Sequence, residues 1–211
     1  MRSPLTNLTR PSLERPNAPS SASDELDNFV VALQVAILPT MKPQRDALAL
    51  ASILELDQVA SKRDQLGKIV ATCGGYDPIH PGHLSCIVDS ARYGDTLVVF
   101  VNKDEFLVSK KGKPFQNCDT RCRIVSYCRG VDYVVPFGIP GDSTMIEALR
   151  QLRPHVFTKG GDRTDASNIP EWDVCQEHGI EIVTGVGLDK EWSSSNFLAD
   201  WESWLRERGR I

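Results

Sequence analysis

The chain has 211 residues, of which 41% are hydrophobic and 25% charged, and its formal net charge is −4. That length and balance fit one α/β domain with a sizeable core plus an extension, and exclude two large domains. The negative charge removes any general pull toward nucleic acid or an anionic membrane, so neither is an expected partner, and any phosphate site must be a local cluster of positive groups.

Residues 1–23 carry Pro4, Pro11, Pro16 and Pro19 among serines and asparagines and are expected to be disordered. A transit peptide is the second-ranked reading of this stretch, and no apolar h-region follows Arg2, Arg10 and Arg15 to make a secretory signal. Residues 24–67 read as a helical extension. A first helix covers 24–38 and is stopped by Pro39; a second covers 43–65 and is closed by Gly67. The extension is expected to pack on the main domain or on a dimer partner.

Residues 68–211 change texture. Strands are predicted at Lys68–Cys73, Thr96–Asn102, Asp132–Phe137, His155–Lys159 and Glu181–Gly185. Helices are predicted near 82–92, 119–129, 142–152, 170–178 and 194–207. Alternating strands and helices imply a parallel sheet covered on both faces, and right-handed crossovers make it doubly wound. Ligands then bind beyond the carboxyl ends of the strands, after Cys73, Asn102, Lys159 and Gly185. The six cysteines form no C-x-x-C pair, and Cys118 and Cys122 have no histidine beside them. They read as reduced thiols of a cytoplasmic protein, not as a zinc site. No apolar run approaches bilayer length.

After the first strand comes Gly74-Gly75-Tyr76-Asp77-Pro78-Ile79-His80-Pro81-Gly82-His83. The glycines allow a tight turn, and His80 and His83 fall three apart at a helix start, beside free backbone N–H groups. That combination suits an anion, and two imidazole donors there can hold phosphate oxygens as charge builds in phosphoryl or nucleotidyl transfer. The bland reading is a pair of structural histidines capping a loop. Zinc lacks a nearby third ligand, and no metal site is expected.

This G-x-[FY]-D-x-x-H-x-G-H pattern resembles the signature of the cytidylyltransferase-like nucleotidyltransferases. Four more pieces follow in order: Arg121, the segment Arg129-Gly130-Val131-Asp132-Tyr133-Val134-Val135, Lys159-Gly160-Gly161-Asp162, and Ser193-Ser194-Ser195-Asn196. Together they cover about residues 68–207. The P-G-H, K-G-G-D and S-S-N forms are most similar to the adenylyltransferase part of the bifunctional heptose-phosphate enzymes, and next to glycerol-3-phosphate and ethanolamine-phosphate cytidylyltransferases. Leu188 stands where cytidylyltransferases tend to have an arginine, with Lys190 as a possible substitute, and Trp192 is larger than the family's usual residue before the serines.

The resemblance implies a Rossmann-like nucleotidyltransferase fold and in-line attack of an acceptor phosphate on the α-phosphorus of a nucleoside triphosphate, with release of pyrophosphate. It implies a catalytic set of His80, His83, Lys113 and Arg121. Nucleotide contacts would come from Gly74, Gly75, Tyr76, Asp77, Gly82, Lys159, Gly160, Gly161, Asp162, Ser193, Ser194 and Ser195. Lys110, Lys111 and Arg129 would meet the acceptor phosphate. Lys110, Lys111 and Lys113 are expected in one flexible basic loop, and Arg121 and Arg129 on one helix face; Arg129 reads equally well as a cap at its helix end. The partners implied are ATP or CTP, ATP preferred, with Mg2+ carried by the triphosphate, and a phosphorylated sugar or alcohol; a homodimer matches the habit of relatives. The competing class is a nucleotide-binding module without turnover. Class I tRNA synthetases share H-x-G-H, but the short chain, its negative charge and the lack of a K-M-S-K-like loop argue against that role.

Overall fold

A computed structural model describes residues 50–161, 163, 165, 167–189, 191 and 193–211. The expectations for 1–23, for the first helix and the start of the second, and for Asp162, Lys190 and Trp192 lie outside these residues.

The strands are β1 (Ser52–Ile53), β2 (Ile69–Gly74), β3 (Thr96–Asn102), β4 (Tyr133–Phe137), β5 (Val156–Thr158) and β6 (Glu181–Val183). They form one parallel sheet in the order β1-β4-β3-β2-β5-β6. The helices are α1 (Leu56–Ala60), α2 (Pro81–Ser90), α3 (Asp104–Lys111), α4 (Cys118–Ser126), α5 (Ile146–Leu152), α6 (Trp172–Glu177) and α7 (Ser194–Glu207). β3 is buried along its whole length, which is why it reads as an unbroken apolar run with no alternation.

Side-chain alternation along β2 divides the core. Ile69 and Ala71 join α1, α5 and α6 through Leu56, Val59, Leu149, Leu152 and Val174 on one face. Val70 joins α2 and α4 through Ile87, Cys122 and Val125 on the other. The chain reverses direction across the sheet at β2, whose neighbours are β3 and β5. The carboxyl end of β2 is therefore the switch point, where a crevice must open. The Ser90 hydroxyl lies 2.7 Å from that of Thr158 and donates to Cys86 O, fixing the end of α2 against β5.

Two expectations are corrected. Residues 50–65 are not one helix: β1 pairs with β4, with Ser52 N donating to Asp132 O and Leu54 N to Val134 O, both at 3.0 Å. Leu56 and Val59 sit in the main core, so residues 50–67 belong to the compact unit and not to an extension ahead of Lys68. Asp104–Lys111 is a helix, so Lys110 and Lys111 stand on the last turn of α3 and only Lys113 lies in the loop after it. Among the described residues no helix is long and apolar enough to cross a membrane.

Candidate active site

A cleft of about 440 Å³ opens at the switch point. Gly74, Gly75, Tyr76, His80, Gly82 and His83 line it from the β2–α2 turn, Lys159, Gly160 and Gly161 from the end of β5, and Ser193, Ser194 and Ser195 from the start of α7. The structure thus gathers twelve of the predicted residues on one surface, and Lys110 joins them from α3.

His80 is the N-cap of α2, and its Nδ1 accepts from His83 N at 3.4 Å, with Pro81 in the first turn. Its ring stacks on that of His83 with centroids 3.7 Å apart and planes 21° from parallel. The edge of Tyr76 meets His83 at 5.2 Å. Burial, helped by His80, Lys110 and Lys111, pushes the His83 imidazole down to about 3, and burial also lowers His80. At neutral pH His83 is therefore uncharged. Its Nδ1 is buried without a hydrogen-bond partner. An unmet polar atom beside a cleft is a place for a ligand, and at a helix N-terminus the favoured ligand is an anion.

The other end of the cleft packs tightly. A side chain at Gly160 would run into Val186 O at 2.8 Å and Cys86 Sγ at 3.0 Å, and one at Gly187 into Cys86 N at 2.6 Å. α2 and the loops after β5 and β6 thus touch backbone to backbone. Ser194 Oγ donates to Pro78 O at 2.9 Å and pins the first turn of α7 to the β2–α2 turn. Phe197 approaches His80 edge-on at 6.0 Å. Beyond that turn α7 buries no residue, and Trp201 and Trp204 stack at 4.9 Å on its outer side.

Five of the expected residues do not line the main cleft. Arg121 is fully buried. Its guanidinium donates to Gln116 O at 3.0 Å, Gly75 O at 2.9 Å, Asn102 O at 2.6 Å and Asp104 Oδ1 at 2.6 Å. It ties together the ends of β2 and β3 and the loop before α4, and does not wall the cleft. Asp77 is also buried, and its carboxylate accepts from Phe115 N at 2.8 Å and Gln116 N at 2.7 Å. Lys111 Nζ lies 2.7 Å from Asp77 Oδ2, which holds it away from the main cleft. Lys113 is exposed on the loop and does not line the cleft. Arg129 is exposed in a turn past the end of α4, so it shares no helix face with Arg121; its neighbour Asp132 accepts from Leu97 N near the start of β3, at the opposite rim of the sheet.

The residues that sequence reasoning missed are mainly Asn102, Phe106, Met145, Arg163 and Glu171, all on the cleft wall. Asn102 ends a predicted strand, so the strand-end rule pointed at it. Glu171 carried no signal. Its Oε1 accepts from Met145 N at 3.0 Å and its Oε2 lies 3.0 Å from Lys159 Nζ.

Two solved structures share the architecture. A lipopolysaccharide core biosynthesis protein from Thermoplasma volcanium superposes with a TM-score of 0.51 at 24% identity, over 58% of this chain and 99% of its own. A pantoate-beta-alanine ligase from Francisella tularensis, complexed with β-γ ATP and β-alanine, gives 0.50 at 16% identity, over 70% and 73%. These likenesses establish the fold. The class they define is a Rossmann-like α/β fold, with the H-x-G-H turn at its switch point.

The sequence narrows this further. A family model described as cytidylyltransferase-like matches residues 71–193, more than half of the chain, and the chain belongs to that family. It is similar to the bifunctional protein HldE of Gluconobacter oxydans, 37% identical over 118 residues, 55% of this chain and 24% of that protein. HldE of Methylococcus capsulatus is 35% identical over 71% of this chain and 31% of its own length. HldE of Azorhizobium caulinodans is 34% identical over 80% and 33%. The chain spans a third or less of the length of these curated relatives.

Proposed function

We propose that the cleft joins a nucleoside triphosphate, ATP ahead of CTP, to a phosphorylated sugar or polyol and releases pyrophosphate. The stacked His80–His83 pair at the N-terminus of α2 carries this reading. An acceptor phosphate oxygen attacks the α-phosphorus in line, and pyrophosphate departs toward the start of α7. The two imidazoles donate to α-phosphate oxygens as charge shifts in the transition state. Backbone N–H groups and hydroxyls of Ser193, Ser194 and Ser195 suit the departing β- and γ-phosphates. Lys110 and Lys159 lend positive charge, and the rest of the rate comes from alignment. Leu188 on the cleft wall, in place of an arginine, supports a purine over cytosine. Mg2+ would enter on the oxygens of the triphosphate that carries it.

The test is pyrophosphate release with ATP, CTP, GTP and UTP against hexose and heptose 1-phosphates, glycerol 3-phosphate and phosphoethanolamine. Release with ATP and a sugar phosphate is expected. Release only with CTP and glycerol 3-phosphate or phosphoethanolamine would move the assignment to a cytidylyltransferase, and nucleotide binding without release would make the chain a non-catalytic module.

A further inference from the structure

Glu171 is 3% exposed at the start of α6, on the sheet face opposite α2. A carboxylate so buried is costly unless it is paired. Its partner is Lys159, whose Nζ lies 3.0 Å from Oε2, donates to Cys73 Sγ at 3.4 Å and sits 4.5 Å above the Phe157 ring. An ammonium carries three N–H bonds. Cys73 takes one of them, Glu171 holds the ammonium by charge across 3.0 Å without an aligned hydrogen bond, and the residue lines the cleft, so N–H bonds are left for a ligand. The other oxygen of Glu171 receives Met145 N, so the same carboxylate also anchors the loop ahead of α5.

We propose that Glu171 is a positioning residue: it clamps the Lys159 ammonium so that its remaining N–H bonds face the reacting phosphates. This rests on the nucleotidyl-transfer reading of the cleft. Burial by itself would favour the neutral amine of Lys159; Cys73 and Glu171 beside it reverse that and hold its pKa above the usual value. The thiols near Lys159 are Cys73 on β2, Cys86 on α2 and Cys175 on α6, and burial pushes all three up, so they stay neutral. Among the described residues Glu171 is therefore the carboxylate that keeps Lys159 charged. Without it, burial is opposed by Cys73 alone and the lysine loses its proton at lower pH.

The experiment compares wild type with Glu171→Gln and Glu171→Asp, each checked for its melting midpoint. Two quantities are read: the titration of Lys159 by carbon NMR of ε-labelled lysines, assigned with Lys159→Arg, and the pH profile of kcat/KM for pyrophosphate release. In E171Q the Lys159 titration should move down by at least about one pH unit, the alkaline limb of the profile should follow, and kcat/KM at pH 7 should fall at least about tenfold. E171D, whose shorter side chain retracts the carboxylate, should lower the Lys159 titration by less than E171Q does. An unmoved Lys159 titration in folded E171Q overturns the proposal whatever the rates do. A lower melting midpoint with unchanged profile also overturns it, by reducing Glu171 to a structural role. If E171Q does not fold, a Lys159 titration in E171D below that of wild type supports the clamp, since the shorter side chain retracts the carboxylate, and an identical one overturns it. Absence of pyrophosphate release from wild type would fail the transfer reading instead, and the NMR titration would still decide the clamp.

Discussion

Two sets of positive or imidazole side chains gather at the mouth of the sheet, and they are used differently. His80, His83, Lys110 and Lys159 wall the cleft. Arg121 and Lys111 lie beneath and beside it, and their donors go to Gly75, Gln116, Asn102, Asp104 and Asp77. The first set is open to an anion; the second holds the loops that place the first. Arg121 shows the division best. Four of its five N–H bonds go to three carbonyls and a carboxylate inside the fold, so little of the guanidinium is left for a phosphate. A basic residue in a motif is thus a ligand contact only when its donors remain unspent.

The comparison is sharpest at its two extremes. His83→Ala should lower kcat by at least about a hundredfold with an unchanged melting midpoint, as for removal of a transition-state donor; near-normal pyrophosphate release would place His83 in the supporting set. Arg121→Ala should do the reverse and destabilise the fold by about 3–5 kcal/mol, because it strands the buried partners of a charged group. Denaturant melts check this, and an Arg121→Ala protein of normal stability but dead activity would return Arg121 to the cleft.

Smaller effects separate the lysines and the histidine protonation state. Lys110→Ala should raise KM for the triphosphate or the acceptor about tenfold, roughly the loss of one charge-assisted contact, while Lys111→Ala should mainly lower stability by stripping the buried Asp77 of its partner. His83 offers a pH test. Its folded pKa is about 3, below the ordinary 6.5, so the unfolded chain binds more protons between those values. Its protonation therefore costs the fold nothing above pH 6.5 and becomes a growing penalty on the fold as pH falls toward 3. His83→Asn should flatten that slope in melts taken from pH 7 to pH 4. Smallest of all, Lys113→Ala and Arg129→Ala should leave turnover within about twofold, as surface changes away from a site usually do.

The sheet was readable because its strands are short apolar runs set between glycines and helical periods, and Thr96–Asn102 matched to the residue. The H-x-G-H turn was readable because strand end, glycines and histidines coincide in sequence. Asp104–Lys111 escaped because Phe106, Leu107 and Val108 are consecutive and only Leu107 is buried, so no helical period marks the helix. Arg121 was located, but its burial was not legible because it depends on loops remote in sequence. Glu171 escaped entirely: its meaning comes from Lys159 and Met145, brought beside it only by the closing of the sheet. Ser52 and Ile53 were hidden inside a helical pattern that their pairing with β4 overrides.

That last pairing has a practical side. A shortened polypeptide starting at Lys68, where the sequence texture changes, would lose the two residues that cover β4 and the Leu56 and Val59 packing beneath them. Bare amides and carbonyls from Tyr133 onward, flanked by Val134 and Val135, would offer a template to strands of other molecules. Such a fragment should collect in inclusion bodies, whereas one begun ahead of Leu50 keeps the template closed.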